Sequence, residues 1–303
     1  MKKIINTFSI FLVSYVIYFL INNPEELDVL SNLSLSLIST ILFIKFITLI
    51  VNSLFNKELL KGFDLEITNF ESLYLSSLTF IGNLYLPFRS GGNFRMIYLN
   101  RKYKFKSPEL VSIYGYFFIV TIFLNSAIGL VALYLLNPVR SFNFYLSVSG
   151  FLIIFVFSYF MLFNKFKTYN SAKFNNLFQW LKNLKKSWMK ITDNTSLQVK
   201  LISYTFLNYL FFALEALIIF NYLFNKTELF SIFYYNSISV LSSLASLTPA
   251  SLGIKDGIVF FSSNILNLTV TNIITLMIVE RALSILFSII PGIVLLSNQK
   301  ISS

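Results

Sequence analysis

An all-α polytopic membrane protein is what this sequence predicts, with six spanning helices and two re-entrant helical hairpins in an inverted-topology repeat. Three observations predict it. First, the 303-residue chain is 56% hydrophobic and only 12% charged, with a mean hydropathy of +0.72. Soluble domains carry about 25% charged residues, so this much apolar surface needs a bilayer. Second, lysine and arginine are concentrated in a few connecting segments, which orients the chain. Third, two apolar regions are interrupted by proline and glycine where an unbroken span would have neither.

A spanning helix takes about 20 apolar residues. The segments that qualify are roughly 4–21, 33–55, 109–136, 142–163, 201–224 and 272–296. The first follows Lys2 and Lys3 and has the look of a signal peptide. The "NNPEEL" that comes next is a poor small-residue cleavage site, so it reads as a retained helix. Loop 22–32 carries Glu25, Glu26 and Asp28 but no lysine or arginine, and is expected outside. Residues 88–108 and 164–200 are strongly basic and are expected in the cytoplasm, as are both termini. The connections at 137–141 and 225–228 are expected outside.

These assignments constrain the two interrupted regions. Region 70–100 must enter and leave on the cytoplasmic side, turning at Pro87–Gly92. Region 229–268 must enter and leave on the outside, turning at Pro249–Gly253. Each half then reads span, span, hairpin, span, in opposite orientations. The chain is therefore expected to be one integral membrane domain, with repeat halves at about 1–136 and 142–298 and binding elements at the broken helices. The alternative makes each hairpin arm a full span, giving ten helices, but 88–100 is short and carries Arg89 and Arg95.

In the basic connection, Phe174, Leu177, Phe178, Leu181, Leu184 and Trp188 recur at helical spacing. This fits an amphipathic helix on the inner leaflet or, equally, a helical loop covering the base of the bundle.

The charge excess, 24 Lys+Arg against 13 Asp+Glu, matches loops that face anionic lipid. No basic soluble domain exists to bind nucleic acid. The chain has no cysteine and no histidine, which excludes thiolate nucleophiles, disulfides, histidine bases and nearly all zinc chemistry. Carboxylate-only or Mg²⁺ chemistry stays open, although no paired-aspartate motif occurs. No cofactor is expected.

Breaks inside hydrocarbon need partners for the freed backbone groups, and they expose helix N-termini that favour anions. "PFRSGGNFR" adds Arg89 and Arg95; "PASLGIKDG" adds Lys255 and Asp256. The bland alternative has Arg95 and Lys255 reaching the interfaces and Asp256 capping a helix. Further along, Glu280 and Arg281 lie deep in the last span, and Arg281 is placed to pair with Asp256. Lys45 and Glu215 fall in corresponding spans and could pair across the repeat interface. The reading preferred for Lys45 is that it snorkels to the inner surface.

The stretches "GNLYLPFRSGGNFRMIYL", "LTPASLGIKDGIVFF" and "VERALSILFSIIPGIVLL" resemble the flippase-like family, the transmembrane region found in lysylphosphatidylglycerol synthases. Its first pattern falls on Pro87, Gly91, Gly92 and Arg95, with Gly92 where the family has an acid. Its second falls on Pro249, Gly253, Lys255 and Asp256, with Ala250 and Ser251 replacing glycines. Its late arginine and Pro-Gly fall on Arg281, Pro291 and Gly292. The resemblance is clear over about 70–296.

It implies a protein that moves lipids between leaflets of the plasma (inner) membrane. Arg89, Arg95, Lys255 and Arg281 would bind a lipid head group, and Asp256 and Glu280 would orient these bases or respond to a proton. The absent acid at Gly92 weakens any coupling step that relies on it. No soluble aminoacyl-transferase domain is expected after Ser297. The implied partners are membrane lipids and, as an alternative role, a lipid-modifying or glycan-assembly enzyme that the chain would anchor. An intramembrane lipid-phosphate transferase using Asp256 or Glu280 ranks below both.

Overall fold

The structure, a computed structural model, describes residues 33–86, 89–136, 141–163, 176–225, 227–245, 251 and 254–297. The span expected at 4–21 and the residues Pro87, Pro249 and Gly253 lie outside the described residues. Among the described residues all regular structure is helical. Five stretches are long and apolar enough to cross a membrane, at Leu35–Lys61, Ser107–Leu136, Phe142–Phe163, Thr195–Phe224 and Thr271–Ser297. They correspond to the remaining five expected spans.

The elements run α1 (Leu35–Lys61), α2 (Asn69–Tyr85), α3 (Gly91–Tyr103), α4 (Ser107–Leu136), α5 (Phe142–Phe163), α6 (Asn176–Thr192), α7 (Thr195–Phe224), α8 (Leu229–Leu244), α9 (Ile254–Phe261), α10 (Ser263–Leu266), α11 (Val270–Phe287) and α12 (Ile289–Ser297). Where boundaries differ from expectation, local chemistry explains it. α7 starts earlier because the Asn194 side chain accepts from the Leu197 N–H at 3.0 Å, giving the first turn a cap. The last span is two helices, because Pro291 has no N–H to offer Phe287 and the ladder breaks at Ser288.

Both interrupted regions are pairs of packed helices, α2 on α3 and α8 on α9. Two residues past Pro87 and Pro249 in the sequence, Arg89 (φ 47°) and Ser251 (φ 61°) adopt left-handed backbone, a conformation uncommon away from glycine. α2 and α3 meet backbone to backbone, since a Cβ on Gly91 would lie 2.1 Å from the Thr79 carbonyl oxygen and one on Gly82 would lie 2.5 Å from Gly91 Cα. Only glycine at these positions allows so close a crossing.

The packing of the elements pairs off. α1 lies on α2 as α7 lies on α8; α3 touches α4 as α9 touches α11; α4 packs on α8 as α12 packs on α2. α1 and α7 run along each other at the centre. Lys45 meets Glu215 at 2.7 Å, and one heptad further along each helix Asn208 donates to Asn52 at 3.1 Å, the register of two antiparallel helices.

α5 packs on α4, touches α8 through Ser147 and Tyr234 and α9 through Asn143 and the Phe261 carbonyl, and leaves much of its outer face uncovered. Phe142, Leu146, Ile153, Phe157 and Phe160 are exposed along it, an apolar surface suited to lipid rather than water. α6 is docked on α4 and α7. Its Trp188 and Ile191 are buried, Trp180 donates to Ser107 at 3.0 Å, and Ser112 donates to the Leu184 carbonyl at 3.0 Å. Of the two readings of the basic connection, this packing describes the helix that covers the base of the bundle. Phe174 lies outside the described residues.

Candidate functional site

Two groups of charged residues inside the bundle lie at the helix breaks. At the first break, Arg89 is half-buried and Arg95 is 5% exposed. Arg95 sits on the first turns of α3, and its side chain reaches between α1 and α4. It donates from Nε to the Tyr114 hydroxyl and from a terminal nitrogen to Asn56 Oδ1. Its guanidinium carbon lies 4.2 Å from the centre of the Tyr114 ring, a cation–π contact. Asn56 in turn donates to Ser76 on α2 at 2.7 Å.

Among the described residues, neither Arg95 nor Arg89 has a carboxylate within ion-pair distance. Hydrogen bonds to neutral groups satisfy the geometry of Arg95 without cancelling its charge. A charge buried in that condition costs several kcal/mol. At Gly92, one turn before Arg95, a Cβ would make an ordinary contact with the Tyr114 ring edge at 3.5 Å, so the site has room for a small side chain.

The second break is arranged differently. Lys255 bonds Glu280 at 2.9 Å, and Arg281 spans both oxygens of Asp256 at 3.2 Å. Adjacent residues of opposite sign on α9 therefore meet adjacent residues of opposite sign on α11, 255 with 280 and 256 with 281. The pairing of Asp256 with Arg281 is the one the sequence suggested. Both pairs are less enclosed than Lys45 and Glu215, with side chains between 14% and 29% accessible, yet Glu280 and Arg281 lie within a span. Replacing Asp256 by asparagine is expected to cost more than the roughly 1 kcal/mol of a surface pair, read as a fall in thermal midpoint in detergent. An unchanged midpoint would contradict the pairing.

Beside this clamp lies a more deeply buried pair. Lys45 and Glu215 bond at 2.7 Å, with side chains 9% and 7% exposed. Lys45 also donates to Ser284 on α11 at 3.1 Å. The expectation that Lys45 snorkels to the surface is thus corrected. The ammonium sits within the helix bundle, and the nearest group able to balance it is the Glu215 carboxylate across the α1–α7 contact.

Sequence reasoning missed one further cluster. A single oxygen of Glu71 on α2 accepts from Tyr98 at 2.9 Å, Lys102 at 2.9 Å and Tyr103 at 2.6 Å on α3. Burial alone would lower the pKa of Lys102, but bonds to Glu71, Tyr98 and Tyr103 outweigh it and hold the pKa above the ordinary lysine value. These contacts fasten α2 to α3 at the end away from the break. The one sequence signal was spacing, since Tyr98 and Lys102 stand one helical turn apart and share a face.

A helical bundle with bare apolar flanks and ion pairs buried between its spans is an integral membrane protein. The chain belongs to the family described as lysylphosphatidylglycerol synthase TM region, whose pattern matches residues 6–292. As a member it contacts membrane lipids. Comparison with curated proteins and with solved structures found no match.

Proposed function

We propose that this protein carries a phosphate-bearing lipid between the leaflets of the plasma membrane, the cargo being an anionic, an aminoacylated or a polyprenyl-phosphate-linked lipid. The observation that carries the reading is Arg95, a buried cation with neutral partners only. A lipid phosphate would supply the missing negative charge. Arg89 and the first N–H groups of α3 would complete its cradle. At the other break, Lys255 and Arg281 are held by Glu280 and Asp256, which would orient them toward a head group arriving from the opposite leaflet.

The paired packing supports an inverted repeat, with α1 to α4 answered by α7, α8, α9 and α11–α12. Under this reading α2–α3 and α8–α9 are the two re-entrant hairpins, turning at Pro87–Gly92 and at Pro249–Gly253. The chain is one membrane domain with halves at about 1–136 and 142–298, and both termini lie in the cytoplasm with the basic loop 164–200. Lipid would move as one half rocks against the other about the α1–α7 contact.

The test is reconstitution into liposomes that hold fluorescent phosphatidylglycerol, its lysyl ester or a polyprenyl-phosphate lipid. Translocation of at least one of these above protein-free liposomes is expected. Arg95→Gln should slow it roughly tenfold or more, the worth of a lost charge-assisted bond. Wild-type protein no faster than empty liposomes for every lipid would defeat the reading.

A further inference from the structure

Both tryptophans of the chain, Trp180 and Trp188, stand on α6 with four lysines, Lys182, Lys185, Lys186 and Lys190. No acid occurs between Glu109 and Asp193. Tryptophan and lysine together mark the level of lipid head groups. Lys182 and Lys186 are exposed, and Lys190 lies 3.8 Å from Asp64. Lys185 is different. The residue is half-buried, yet its ammonium nitrogen is fully buried and has no hydrogen-bond partner among the described residues. None of their carboxylates lies within ion-pair distance of it.

One turn on, Trp188 is 7% exposed, and its Nε1–H is also buried without a partner among the described residues. Residues at this spacing share a helix face, so the two unmet donors are neighbours. A Cβ on Gly115 would lie 3.2 Å from Trp188 Cζ3. That atom belongs to the six-membered ring, across the indole from the N–H, so the N–H edge faces away from the α4 backbone. Buried donors are nearly always met, and an unmet ammonium is the costlier of the two. Both donors call for an acceptor that carries negative charge.

The place of α6 in the fold says what kind of anion. α6 covers α4 from Ser107 to Tyr116, through Trp180, Leu184 and Trp188. Two turns further along α4, the Phe123 ring meets Phe163 in the last turn of α5 at 5.8 Å. α6 therefore stands at the foot of α5, whose apolar outer face includes the exposed Phe157 and Phe160. We propose that Lys185 and Trp188 form a binding site for the phosphodiester of an anionic phospholipid, whose acyl chains lie along α5. The ammonium and the indole N–H donate to the phosphate oxygens. Lys182 and Lys186 disfavour a head group that carries its own cation, such as choline. The site shares no residue with the one at Arg95, and it stands whether or not a lipid moves.

The experiment uses the full-length protein in detergent with Trp180→Phe, which leaves Trp188 as the sole tryptophan. Its emission is followed while dihexanoyl phosphatidylglycerol, dihexanoyl phosphatidylcholine or inorganic phosphate is added. A new hydrogen bond at the indole N–H changes that emission. Phosphatidylglycerol should change it saturably, and the other two should not. Adding Lys185→Met, which keeps the apolar stem and removes the charge, should weaken binding roughly tenfold or more. Lys190→Gln, whose ammonium has an acid of its own, should change binding by less than about twofold. Without lipid, Lys185→Met should not lower the thermal midpoint, because the ammonium it removes bonds nothing in the protein. Five results would each overturn the proposal: no response to phosphatidylglycerol, an equal response to phosphatidylcholine, an equal response to inorganic phosphate, binding unchanged by Lys185→Met, or a lower midpoint in that variant.

Discussion

Replacing Glu215 by methionine should destabilise the protein by about 3–5 kcal/mol, and adding Lys45→Met should recover most of that loss. The pair is 2.7 Å apart with both side chains under one tenth exposed. Removing the acid leaves an ammonium inside the bundle with one serine hydroxyl for company. Removing both charges leaves two apolar side chains of similar length in the α1–α7 seam, which buried-pair replacements elsewhere tolerate well. A double-mutant cycle by thermal unfolding in detergent measures this. Additive losses would show that the two residues do not depend on each other.

Gly91→Ala should be the second large effect, about 3 kcal/mol or more, with loss of the packed α2–α3 arrangement. The new methyl would fall 2.1 Å from the Thr79 carbonyl oxygen and 2.9 Å from the Asn83 nitrogen. These are backbone atoms of a helix, so no side chain can swing aside, and the arms must separate. Separation would also draw Arg95 away from Asn56 and Tyr114 and unload the cluster at Glu71. The matched control is Gly292→Ala on α12, where a Cβ meets nothing within 4 Å. It should change stability by no more than about 0.5 kcal/mol. Equal thermal midpoints for the two variants would refute the close crossing.

Much of this fold was legible. Five expected spans lie within a few residues of the observed helices, and the proline-and-glycine interruptions fall between α2 and α3 and between α8 and α9. The partnership of Asp256 with Arg281 was legible as well, because one charge follows a break and the other lies on the next span. Lys45 was misjudged. A lysine near one end of an apolar segment does snorkel when water is in reach, and nothing within that segment reveals a glutamate on another helix. The partners of Arg95 were invisible for the same reason: Asn56 and Tyr114 are unremarkable residues of two other helices. The bend at Ser288 was available from Pro291 and was passed over.

The sequence by itself determined where the chain is helical, which stretches suit a bilayer and where two of the helices must stop. Those properties are local: a span needs a run of apolar residues, and proline denies a bond to a carbonyl one turn back. Only the tertiary structure decided which charges are neutralised. It left Arg95 with an amide and a phenol, joined two pairs between α9 and α11, and closed Lys45 on Glu215. The reason is physical: inside a bundle shielded from water, a charge is balanced by whatever packing brings within 3–4 Å, and packing joins residues far apart in the chain.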